Sequence, residues 1–276
     1  MAPFVGARFV AWELLSWEWT IDPRGGLATV LLMVCWLRLE RHLGMMYLLF
    51  IAPALLLALL AQWMVSSAYR SMSQVQARMS GFEAARRVLD SNGLYDVAIE
   101  QVPGHLSDHY DPSAKVLRLS PEVYRGHSMA SVGIAAHEAG HAIQDAKHYA
   151  PLIVRNLAVP AANYGSSLGM IFIMIGFGLL GTSLFAIGKT VALVGIAGFA
   201  AVAFFQLINL PVEFDASSRA KTELVSLGIV SGPELPYVSK VLNAAALTYV
   251  AATLQAVLTL AYYLFVFLQA TSRRDD

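Results

Sequence analysis

The run His137-Glu138-Ala139-Gly140-His141 places two imidazoles and a carboxylate within five consecutive residues. On a helix, residues four apart sit about one turn apart on the same face, roughly 6 Å along the axis. Two imidazoles so placed can close on one Zn²⁺ at about 2.0–2.1 Å each. Glu138 precedes His141 by three residues and leans towards the same face. It is too close in chain to His137 to be an ideal co-ligand. It is well placed to take a proton from a water beside the metal and hand it on to a leaving amine. A bound metal brings the pKa of water from 15.7 to about 7 and polarises a carbonyl. The chemistry implied is metal-assisted hydrolysis with Glu138 as the catalytic base. A polar helix face with two unrelated histidines would spell the same five letters, so the rest of the chain has to decide.

A catalytic zinc takes three protein ligands and keeps an open position. After His141 and before residue 213, the charged or imidazole groups are Asp145, Lys147, His148, Arg155 and Lys189. His148 lies too far along the helix axis. The next acids stand in Leu210-Pro211-Val212-Glu213-Phe214-Asp215-Ala216. Pro211 reads as a helix start, and Glu213 is the favoured third ligand. Asp215 is the rival ligand, or the group that accepts an imidazole N–H and orients the ring. Two solvated carboxylates at a membrane boundary are the plain alternative. The site also needs a donor for a tetrahedral oxyanion, for which His109 and Arg219 are candidates. Ser107–Pro112 reads more simply as a turn. His42, His127 and His148 read as surface histidines.

Those residues sit among segments built for lipid. Hydrophobic residues make up 57% of the 276-residue chain and charged residues 14%, against about 25% charged in an ordinary soluble domain. The formal net charge is zero, which gives no footing to a nucleic-acid surface. The single cysteine, Cys35, excludes an internal disulfide framework and a multi-cysteine metal site. Charge-free stretches run from Arg41 to Arg70, Arg155 to Lys189, Lys189 to Glu213 and Lys240 to Arg273. A span needs about 20 apolar residues. The expected division is therefore an N-terminal extension of doubtful status over 1–44, a first span over 45–65, and a catalytic region over 66–166. A membrane hairpin follows over 167–210, turning at Lys189, then a third-ligand helix and loop over 211–244, a last span over 245–268 and a polar tail over 269–276. Leu27–Leu37 is apolar but short for a span, and Met45 and Met46 directly precede the first good one. One reading is that translation starts there, with residues 1–44 an artefact of the assigned start or a poorly ordered extension.

Within the polar region, Ala68–Asp90 reads as one helix stopped by Ser91-Asn92-Gly93. Asp96–Val102 and Lys115–Ser120 alternate and read as strands, with Pro103–Pro112 a loop between them. Ser120-Pro121-Glu122 marks a helix start, and Ser128–His148 reads as one helix capped by Ser128. Lys115–Ser120 is the expected edge on which an extended peptide would lie. The fold class is a mainly α polytopic membrane protein. It has about four transmembrane helices and a small α+β zincin-like domain, with a zinc-binding helix and a short β-hairpin or edge strand. Two spans separate the two polar regions, so Glu213 meets His137 and His141 on one side of the membrane.

The stretches PGHLSDHYDP, KVLRLSPEVY, AAHEAGHAIQ, LPVEFDASSRA and KVLNAAALTYVAA resemble those of the YugP-like membrane zinc-dependent peptidases, over about residues 45–265. The arrangement is more remotely similar to HtpX-type heat-shock proteases and the CAAX prenyl protease. There a two-histidine helix, a membrane hairpin and a glutamate-bearing helix follow in order. The resemblance implies a gluzincin-like endopeptidase with one catalytic zinc on His137, His141 and Glu213. It implies proteolysis and names no substrate; the first functional hypothesis is an endopeptidase acting on peptides or membrane proteins in membrane-protein quality control. In the remoter relatives an aspartate follows the glutamate by four residues. Here that position is Ser217 and the acid is Asp215, which leaves the orienting role open.

The alternative reading is a zinc-bearing membrane scaffold or adaptor that binds partner proteins without cutting them. A hydrolase of lipid or lipidated substrates is a third. Membrane-protein partners or a homo-oligomer are compatible with all of these, and no nucleic-acid partner is expected. Arg70, Arg78, Arg155, Arg219, Lys221 and Lys240 flank the spans on the domain side. Arg38, Arg41, Lys189, Arg273 and Arg274 stand opposite. By the positive-inside rule the site is expected in the cytoplasm of a bacterial-type inner or plasma membrane. In a Cys35→Ser background, a cysteine at position 189 should then react with an impermeant maleimide on intact cells, and one at position 113 only after lysis. The reverse pattern would place the site outside.

Overall fold

A computed structural model describes residues 27–272, with side chains described from Met45 onward. The extension reading of residues 1–44 therefore lies outside the described side chains. In order, the elements are α1 (Leu27–Met72), α2 (Gly81–Ser91), β1 (Ala98–Gln101), β2 (His109–Asp111), β3 (Val116–Leu119) and α3 (Pro121–Arg125). They continue with α4 (Met129–Ala146), α5 (Ala150–Leu180), α6 (Phe185–Ser226), a 3₁₀ turn at Gly232–Glu234, and α7 (Leu235–Ser272). Four helices are long and apolar enough to cross a membrane: Met45–Met72 of α1, then α5, α6 and α7. The chain is a mainly α polytopic membrane protein with a small sheet.

The long helices outrun the apolar stretches that define them. A bilayer core about 30 Å thick takes about 20 residues, yet α6 has 42 residues and α7 has 38. The surplus walls the polar unit. Pro211 does not start a new helix, as its local sequence suggests, but lies inside α6. A proline inside a helix removes one backbone bond, yet α6 runs on through this one. Likewise the hairpin turns at Gly181–Leu184, and Lys189 stands inside the first turns of α6.

The polar unit departs from its expected elements in two places. Ala68–Asp90 is not one helix. It is the end of α1, a turn, and α2, whose Ser80 and Glu83 form a reciprocal capping box. Such a box satisfies two orphan N–H groups and fixes a helix start. The loop Pro103–Pro112 contains an unexpected strand, β2. The sheet order is β1-β3-β2, with β1 parallel and β2 antiparallel to β3. β3 is thus the central strand, and the free edges belong to β1 and β2. Lys115–Ser120 cannot be the peptide edge, because it is paired on both sides.

The principal core is the contact of α2, β3, α4, the projecting end of α6 and the start of α7. It buries Leu89, Leu117, Val132, Ile143, Leu224 and Val238. Two close approaches set the helix spacing. A Cβ on Gly195 of α6 would lie 2.6 Å from the Gly169 carbonyl of α5, which is how small residues let membrane helices pack. A Cβ on Gly140 of α4 would lie 2.7 Å from the Ala216 carbonyl of α6, so α4 and α6 touch backbone to backbone. Gly140→Ala should therefore lower stability by about 1–3 kcal/mol. Gly178→Ala, where a new Cβ meets nothing, should not. Equal thermal unfolding midpoints for the two variants in detergent would contradict the close contact.

Candidate metal centre

The histidine pair is presented by a well-defined helix. Ser128 caps α4 by accepting the Ser131 N–H. Small residues, Ala135, Ala136, Ala139 and Gly140, line the helix around the pair and are buried. They allow α6 to approach, so that Glu213 comes in from the opposite wall. The nitrogen Nε2 of His137 lies 3.3 Å from Glu213 Oε2, and that of His141 lies 3.6 Å from the same oxygen. One ligand atom from each residue lies within 4.8 Å of the others. Tetrahedral ligands about 2.0–2.1 Å from a zinc ion are themselves roughly 3.3–3.4 Å apart. The three groups therefore fit a single divalent cation.

Glu213 bears this out. It is 5% exposed, and its Oε2 is buried with no hydrogen-bond partner. Two further groups meet the carboxylate. The Arg155 guanidinium stands 3.5 Å from Oε1, and the Tyr249 hydroxyl is also hydrogen-bonded to the carboxylate. With Oε1 engaged, the bare Oε2 faces the two imidazoles. A buried carboxylate oxygen left without a partner is unfavourable, and a cation between it and the histidines would remove that penalty.

Both rings are oriented through Nδ1. His137 Nδ1 is 3.1 Å from Ser217 Oγ, the position at which the remoter relatives carry an aspartate. His141 Nδ1 is 3.0 Å from Gln144 Oε1. The Gln144 amide in turn donates to the Val212 carbonyl and to Asp215 Oδ2, each at 2.8 Å. Arg219 Nε donates to Asp215 Oδ2 at 2.6 Å, and its guanidinium lies 5.8 Å from the centre of the Tyr149 ring. Asp215 thus touches neither histidine and reaches His141 through Gln144.

Glu138 stands beside the pair. Burial pushes its carboxyl up to about 7, with nearby Asp108 and Glu213 adding to the rise and His137 opposing it. The Tyr110 backbone N–H of β2 is hydrogen-bonded to that carboxylate. The Tyr110 hydroxyl donates to Asp145 Oδ2 at 3.0 Å, so β2 is tied to α4 at both points. Of the two oxyanion candidates, His109 turns Nδ1 to the Ser107 carbonyl at 2.8 Å, and Arg219 is engaged by Asp215. The sequence does not single out Gln144 or Tyr249, and it gives Arg155 no place at the site. Tyr249 does fall within one of the stretches that carry the family resemblance.

Residues 47–268 match the family model described as "Putative neutral zinc metallopeptidase". The chain is 46% identical over 234 residues to the "Putative membrane protease YugP" of Bacillus subtilis (strain 168), covering 84% of this chain and all of that one. No solved structure matches it significantly. Protein purified with zinc should carry about one ion per chain. Glu213→Ala and His141→Ala should reduce that to background by elemental analysis. Ser217→Ala should keep the ion but weaken affinity by about 10–100-fold, as loss of an orienting partner does. Full zinc content in Glu213→Ala would remove Glu213 from the centre.

Proposed function

The chain belongs to the family of these zinc metallopeptidases, and from that premise we propose that it is a membrane zinc endopeptidase cutting peptides or membrane proteins beside the bilayer. The observation that carries this reading is the bare, buried Oε2 of Glu213 facing the Nε2 atoms of His137 and His141. In this reading His137, His141 and Glu213 hold one Zn²⁺, and Asp215 and Arg219 support His141 from behind. When bound, the ion lowers the pKa of water and polarises the scissile carbonyl. Glu138 accepts the proton of the attacking water and delivers it to the leaving nitrogen. Its carboxyl, raised to about 7 without an ion, titrates close to neutrality. A dication alongside favours the ionised form, which is the form a base requires.

The catalytic unit then comprises residues 66–166 and 211–244, with the hairpin between them serving as the anchor that brings them together. An extended substrate would lie along β2, the free edge bonded to Glu138 through Tyr110. β-Augmentation supplies affinity through the main chain with little dependence on sequence, which suits turnover of damaged membrane proteins. The basic residues on the domain side favour a cytoplasmic site in a bacterial-type membrane.

Glu138→Gln in detergent-solubilised protein should keep its zinc and lose turnover of dye-labelled casein by about 10²–10⁴-fold, the usual contribution of a general base. Chelation by 1,10-phenanthroline should abolish wild-type cleavage, and added zinc should restore it. Undiminished cleavage by Glu138→Gln would refute the mechanism. Zinc-dependent partner binding without cleavage by the wild type would favour a scaffold.

A further inference from the structure

Gln144 is fully buried, and the hydrogen-bonding capacity of its side chain decides more than its own position. Its Nε2 lies 2.8 Å from the Val212 carbonyl oxygen and 2.8 Å from Asp215 Oδ2. Both are acceptors, so the two N–H bonds of the amide point there, and the choice between its oxygen and nitrogen is settled. The amide oxygen is thereby turned to His141 Nδ1 at 3.0 Å. An oxygen that can only accept requires an N–H opposite it. His141 therefore carries a proton on Nδ1, which leaves Nε2, the atom facing Glu213 Oε2 at 3.6 Å, as the nitrogen turned to the metal position.

The same amide fixes a second relation. Val212 directly precedes Glu213, so the bond to its carbonyl sets the height of Glu213 on α6 against His141 on α4. Asp215, the other acceptor, is held in turn by Arg219 at 2.6 Å. We propose that Gln144 is a positioning residue that locks His141 in the metal-binding tautomer and sets Glu213 in register with it. This rests on reading His137, His141 and Glu213 as a metal centre. It explains how Asp215 supports that centre while touching neither histidine. A glutamate at position 144 would present oxygens to a carbonyl and a carboxylate. A methionine would fill the volume with no donor or acceptor of comparable strength.

Two measurements test it. In metal-free protein labelled with ¹⁵N-histidine at about pH 8, His141 should give the long-range ¹H–¹⁵N pattern of the Nδ1–H tautomer. A His141 with no proton on Nδ1 would overturn the proposal, and this test needs no variant at position 144. Gln144→Met and Gln144→Glu should bind zinc about 10–100-fold more weakly than wild type, by competition with a chromophoric chelator. Gln144→Met should also release His141 from the single tautomer. Zinc held equally by wild type and Gln144→Met would overturn this proposal alone. A wild type that takes up no zinc would overturn the metal-site reading beneath it.

Discussion

A carboxylate buried between helices, with one oxygen bare, constrains everything around it. Removing such a group from water is unfavourable by several kcal/mol unless charge and hydrogen bonds replace the lost solvation. At Glu213 the replacement is asymmetric. Arg155 and Tyr249 serve one side of the carboxylate, and two imidazole nitrogens face the other. A divalent cation between them would satisfy all three groups. The arrangement is stable only if α4, α5, α6 and α7 each deliver a side chain to within ångströms of one point.

The membrane helices make that convergence possible. α5 and α6 form a hairpin packed closely enough for glycine backbones to touch, as at Gly169 and Gly195. The hairpin returns the chain to the side it left, and α6 continues beyond the apolar stretch as a rigid strut. Glu213 rides on that strut. Gly140 lets α4 press against it at Ala216. β2 closes the site from the remaining side, through Tyr110 to Glu138 and Asp145. The anchor in lipid and the wall of the site are thus the same helices, which ties the position of the chemistry to the membrane surface.

Much of this was legible in the sequence, for identifiable reasons. The histidine spacing encodes a helix face directly, and long charge-free runs encode spans. Glu213 and Asp215 stood out because acids are scarce between residues 146 and 212. The missed features depend on distant packing. β2 is three residues long and looked like a turn because Pro, Gly, Ser and Asp surround it. Pro211 suggested a helix start, but an aligned span before it and a buried face after it kept α6 continuous. Gln144 carries no charge and has no motif of its own. Its role follows only once α6 places a carbonyl and a carboxylate against its amide. Ser217 was noticed as a departure from the remoter relatives. Its hydroxyl nevertheless stands opposite His137, and the acid two residues earlier reaches the other histidine by way of Gln144.

The account requires one metal ion bound by groups from two helices. X-ray absorption at the zinc edge of the detergent-purified protein is the most direct test. The account predicts a shell of light ligands, nitrogen and oxygen, at about 2.0–2.1 Å, with the multiple-scattering signature of two imidazoles. A spectrum without imidazole scattering, or a six-oxygen shell such as a loosely held surface ion gives, would contradict it.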